Sequence, residues 1–256
     1  MGQVSGGNAI RPDRFPWAAV ILGLAAIAVL IGLGTWQVNR LAWKEALLAA
    51  IDQRIHTAPR TLAEVELQFT QFGDVDYEPI AVSGVFDHVG ERHFLATYDG
   101  ESGFYVYTPL TLADGRSIFV NRGFVPYDDK DPSTRLAGEV ADTVTVSGLA
   151  RNPLAEKPSS MLPDNDVAKN IFYWKDLAAM AKSAGVDPSK LLPFFVDAGP
   201  AKNPGGLPIG NVTIIDLPNS HLQYAVTWYG LAAGLAGVLG VWLWRRRSTP
   251  RGDART

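Results

Sequence analysis

The stretch PNSHLQYAVTWYGLAAGLAGVLGVWLWRRR, residues 218–247, decides the reading of this chain. From Tyr224 to Trp244 it carries no charge, and three arginines stop it. About 20 apolar residues suffice to cross the ~30 Å hydrocarbon layer of a bilayer, so residues 222–244 read as a transmembrane helix. One histidine, His221, stands where the apolar run begins. An ionisable, metal-capable ring at the mouth of a membrane helix asks for a reason.

A second span lies near the other end. FPWAAVILGLAAIAVLIGLGTWQV, residues 15–38, is also free of charge. It exceeds the ~7–15-residue core of a signal peptide, and no small-x-small cleavage site follows it. Trp17, Trp36, Trp228, Trp242 and Trp244 fall near the span ends, where aromatic belts form. Residues 1–14 carry a net charge of +1 and residues 245–256 a net charge of +4. Basic flanks stay on the cytoplasmic side, so both tails are expected there and residues 39–221 on the opposite face. The short first tail does not resemble a mitochondrial presequence. The expectation is therefore a bacterial inner membrane with a periplasmic domain. Gly230 and Gly234 form a G-x-x-x-G motif, extended by Gly237, which suits close helix pairing with an undetermined partner.

The chain has 256 residues and a net charge of −3; between the basic tails the net charge is −8. An acidic centre argues against nucleic acid as a partner. The absence of cysteine excludes disulfides, thiolate metal sites and heme attachment through Cys-x-x-Cys-His.

Between the spans the period of the pattern changes. An amphipathic helix is expected over residues 39–55, and Thr61 reads as the cap of a short helix over LAEVELQF. Period-two strands follow at 79–86, 92–98 and 103–112, and Asp114-Gly115 marks a hairpin turn into 117–126. Further strands are expected at 142–150 and 191–199, with a helix at 173–183 between them, and VTIID (212–216) is expected to close the sheet. The fold class is thus an α+β membrane protein. Two transmembrane helices flank a mainly antiparallel small barrel or sandwich with one or two helices.

Signatures of chemistry are sparse. H-E-x-x-H, Walker A, G-x-G-x-x-G and G-x-S-x-G are all absent. Asp128, Asp129 and Asp131 lack calcium-loop spacing and read as a solvated loop. His88 and His93 could share a metal but lack a third ligand, and exposed strand ends are the plainer reading. Asn121-Arg122-Gly123 reads as a structural turn. The membrane boundary remains. His221, Tyr224 and Trp228 fall on one helical face, and so do Trp36 and Arg40. An imidazole can ligate heme iron, aromatic faces can cover a porphyrin, and Arg40 could pair with a propionate. Headgroup-level anchoring explains the same residues.

Six stretches then combine: GTWQVNRLAWKEALL (34–48), YEPIAVSGVF (77–86), GFYVYTPL (103–110), IFVNRGFVP (118–126), NIFYWKDL (170–177) and PNSHLQYAVTWYGLA (218–232). In this order and with this topology the chain resembles the surfeit locus protein 1 family of cytochrome c oxidase assembly factors. The resemblance implies a non-enzymatic membrane factor that binds heme a and helps place it in the oxidase core subunit. Heme a synthase would be a further partner. It makes His221 the candidate iron ligand, with Trp36, Gln37 and Arg40 as site or partner-contact residues, and Tyr224 and Trp228 share the face of His221 and join it as candidate cofactor contacts. The glycine-lined helices would accept the porphyrin edge. Two other readings stand beside it: a cofactor-free scaffold for an oxidase intermediate, and a membrane-anchored sensor or hydrolase with a pocket in the outer domain.

Overall fold

The computed structural model describes residues 16–213 and 219–248. Phe15, both tails apart from residues 245–248, and residues 214–218 lie outside the described residues. In chain order the elements are α1 (Trp17–Ile55), α2 (Leu62–Phe72), β1 (Pro79–Phe86), β2 (Arg92–Tyr98), β3 (Glu101–Leu112), β4 (Ser117–Pro126), β5 (Val144–Arg151), α3 (Leu177–Ala184), β6 (Leu191–Ala198) and α4 (His221–Ser248). They form two compact units. One joins the chain up to Leu47 with the chain from Leu217; the other runs Leu48–Asp216.

Within the second unit the strands form one sheet in the order β1-β5-β6-β4-β3-β2, and β1 also pairs with β3. That last pairing closes β1, β5, β6, β4 and β3 into a ring and leaves β2 alongside β3. Closure removes the edges that an open sheet would expose. β3 serves both neighbours because it is 12 residues long. Residues 101–107 pair with β2, and Leu110–Leu112 pair with Phe86–Gly84 of β1. Among the six strands every pairing is antiparallel except that of β4 with β6.

The barrel interior holds Ile80, Val82, Leu110, Ile118, Val120, Phe194 and Val196, and α2 lays Val65 into the same cluster. On the outer face Tyr107, Phe119 and Phe195 bury Met180 and Ala181 of α3. Alternate residues of β4 and β6 thus face two different cores, so both strands read as near-continuous apolar runs.

Several sequence expectations change here. The span and the amphipathic helix expected from residue 39 are one helix of 39 residues. The polar run N-R-L-A-W-K-E contains no proline or glycine, so it ends the apolar stretch without ending the helix. α2 follows its Thr61 cap as read, with Glu64 completing a capping box. α3 starts four residues later than expected, because the Asp176 carboxylate accepts from the Ala179 N–H and caps it there. Val212 and Thr213 form no strand, and the rest of VTIID lies outside the described residues. The ring closes through β1 and β3 instead, and the Thr213 hydroxyl donates to Asp197.

Asn121-Arg122-Gly123 is a bulge inside β4, not a turn. Val106 pairs with Gly123 and Tyr107 with Asn121, so Arg122 is the extra residue. Gly123 has φ +130°, and a Cβ there would lie 2.0 Å from the Ile209 carbonyl oxygen. Only glycine allows the backbone of residues 209–210 to come so close.

Candidate functional site in the helix pair

α1 and α4 are long and apolar enough to cross a membrane. Core helices of a soluble protein would hide their apolar residues. Here Leu22 is 73% exposed, Val226 65% and Val238 68%, as expected of helices clothed by lipid. These two helices flanking the barrel make this an α+β membrane protein.

The seam of this pair is set by spacing. The less exposed positions of α1 include Val20, Gly23, Ile27, Leu30, Gly34 and Gln37, three and four residues apart in alternation. Those of α4 follow the same rule: His221, Ala225, Trp228, Ala232, Leu235 and Leu239. This is the period of packed left-handed helix pairs. A Cβ on Gly34 would meet the Tyr229 ring at 2.9 Å, and one on Gly23 would meet Leu239 at 3.2 Å. The Thr35 hydroxyl donates to Ile31 O at 2.9 Å, which leaves its oxygen to accept from the Tyr229 hydroxyl at 3.0 Å.

At one end of the seam sit two polar side chains. Gln37 is buried, and its amide oxygen accepts from His221 Nδ1 at 2.7 Å. His221 is the first residue of α4 and is half-buried. Trp228 lies on the same face and is half-buried, while Tyr224 is half-exposed. Trp36 is 57% exposed and turned off the seam. Arg40 lies one turn beyond Trp36, and its guanidinium stacks 4.0 Å from the Trp43 ring centre. The structure therefore joins His221 to Gln37, while Arg40 rests on its own helix.

The glycine motif points elsewhere. Nothing lies within 4 Å of a Cβ built on Gly230, Gly234 or Gly237. Nine and thirteen residues after His221, the first two fall on the opposite side of α4. They neither build the pairing with α1 nor line the His221 side of α4.

In the barrel unit His88 and His93 are not exposed strand ends. His93 Nε2 lies 2.7 Å from Glu91 Oε1, and Arg135 joins the same buried carboxylate. His88 Nδ1 lies 2.8 Å from Glu139 Oε2, and its Nε2 donates to Val140 O. Each histidine thus has its own carboxylate, and among the described residues no group of three or more His, Cys, Asp or Glu could hold a metal ion. Burial alone would raise the Glu91 carboxyl, but hydrogen bonds from His93 and Arg135 outweigh it and hold that carboxyl below its ordinary value. Asp128 and Asp131 are exposed, and Asp131 caps the short helix 132–138. A cleft of about 440 Å³ between residues 55–59, 147–149 and 197–213 was not foreseen; it opens beside the buried Asp197. Asn121 and Thr213 donate to that carboxylate, and Arg151 lies 3.6 Å from it.

The SURF1 family model matches residues 24–233, taking in Gln37, the whole barrel and His221. The chain belongs to the SURF1 family. It is 36% identical to Surfeit locus protein 1 of Rattus norvegicus over 88% of this chain and 74% of that protein. Against the Homo sapiens protein of the same name the identity is 34% over 97% of this chain and 83% of the other. A SURF1-like protein of Monosiga brevicollis is 36% identical over 88% of this chain and 86% of its own.

Proposed function

We infer that this SURF1-family chain is a non-enzymatic assembly factor for cytochrome c oxidase. It binds heme a as cargo and aids its insertion into the oxidase core subunit, with heme a synthase as a further partner. It works in the bacterial inner membrane, with both termini cytoplasmic and the barrel periplasmic. The observation that carries this reading is the half-buried imidazole of His221, paired with Gln37 at the end of a mainly apolar helix pair. The donor set suits the group. An imidazole is a common axial ligand of heme iron. Tyr224 and Trp228 offer aromatic faces on the side of α4 that carries His221. Arg40 is exposed one turn beyond Trp36 and supplies a charge suited to a propionate. Delivery is then a ligand exchange in which a histidine of the nascent subunit replaces His221.

A test is deletion of the gene followed by complementation with the natural chain or with His221→Ala. The natural chain restores heme a to the oxidase and the variant restores little. Equal restoration contradicts a cargo role for His221.

The outward glycine face of α4 favours a second reading. Gly230, Gly234 and Gly237 leave room for a partner helix, as a cofactor-free scaffold of an oxidase intermediate would need. A colourless purified protein that still captures the oxidase core subunit would support the scaffold.

A further inference from the structure

We propose that Gln37 is a positioning residue that sets the tautomer and orientation of the His221 ring. This rests on the heme-carrying reading above. The amide oxygen of Gln37 can only accept, so the proton at their 2.7 Å contact belongs to His221 Nδ1. A neutral ring with its proton on Nδ1 carries its lone pair on Nε2. The hydrogen bond thus fixes which nitrogen is free to bind a metal, and it holds the ring plane against α1.

Position argues that the contact is built for this. Gln37 occupies a seam position, 8% exposed, where its neighbours on the stripe are Gly34, Leu30 and Ile27. An amide in such a place is costly unless paired, and an apolar residue would fill the seam without that cost. His221 sits at the matching end of the α4 stripe, one step before Ala225. A histidine that served only as a headgroup anchor would turn its polar edge to water. This one turns Nδ1 inward to a buried acceptor.

The choice of acceptor matters too. A carboxylate at residue 37 would push electron density into the ring and make it a stronger ligand. A neutral amide orients the ring without that added basicity, which suits a carrier that must let its cargo go.

The experiment uses the full-length chain in mild detergent, titrated with heme a and followed by the visible band and the midpoint potential. The natural chain gives a saturable band that His221→Ala abolishes. Gln37→Leu is expected to weaken binding about 10–100-fold, the usual effect of losing a partner of a metal-ligating histidine. Gln37→Glu is expected to keep the band and lower the midpoint potential, because the carboxylate favours ferric iron. Should Gln37→Leu fail to fold, Gln37→Glu alone decides. A normal band in both variants with an unchanged potential overturns the role of Gln37 and leaves that of His221 standing. If the natural chain gives no His221-dependent band, the heme-carrying reading and the role of Gln37 fall together.

Discussion

Across the helix pair, His221 Nδ1 lies 2.7 Å from the amide oxygen of Gln37, a residue 184 positions away in sequence. The bond joins the first residue of α4 to the buried turn of α1 where the apolar span gives way to polar sequence. Together with Gly34 against Tyr229 and Gly23 against Leu239, it fixes the two helices antiparallel and in register.

Helix pairing should depend on Gly34 and not on the G-x-x-x-G motif. Gly34→Leu drives a side chain into the Tyr229 ring and is expected to cost about 1–3 kcal/mol, the usual range for overpacking. Gly234→Leu meets nothing on the α1 side and leaves stability in detergent unchanged. Thermal unfolding of the two variants against the natural chain checks the contrast.

The barrel should weaken in acid through Glu91. Its carboxyl is held below its ordinary value of 4.5, so its contribution is present above that pH and lost as pH falls through the depressed value. Stability of the full chain, followed by near-ultraviolet circular dichroism, is expected to fall steeply below about pH 4.5. Glu91→Gln flattens that slope. At neutral pH it costs about 1–3 kcal/mol, because the buried Arg135 loses one of its two carboxylates and keeps Glu139.

Gly123→Ala should be costly beyond ordinary strand propensity. Its φ of +130° disfavours any side chain, and the new Cβ would collide with the Ile209 carbonyl. The variant is expected to lose at least ~2 kcal/mol and to become sensitive to protease between residues 199 and 213. Alanine tolerated at residue 123 would contradict the tight approach of that segment to β4.

The orientation can be read on a cysteine-free background. Val89→Cys lies in the barrel unit at a residue 94% exposed, and Thr256→Cys lies in the last tail. In intact cells an impermeant maleimide should label Cys at 89 and spare Cys at 256. The reverse pattern would place the barrel in the cytoplasm.

Much of this architecture was legible because local signals are strong. β1, β2 and β4 fall on their expected bounds residue for residue, and Asp114-Gly115 turns β3 into β4 with Gly115 at φ +80°. What stayed hidden was non-local. No local pattern announces that β1 will close on the far half of β3, or that β6 will run parallel to β4. The face shared by His221, Tyr224 and Trp228 follows from helical period alone. That Gln37, rather than Arg40, would meet His221 depends on the rotation of two helices about a common seam. The signal was present in the alternating spacing of residues 20–37 and 221–239. The glycine motif marks the opposite face of α4.

The most direct test is the visible absorption spectrum of the natural chain and of His221→Ala, both purified in mild detergent from cells that make heme a. A heme band in the natural protein that vanishes in the variant is the expected result. A natural protein without colour, or a variant that keeps the full band, would contradict the assignment of His221 as the residue that holds the cargo.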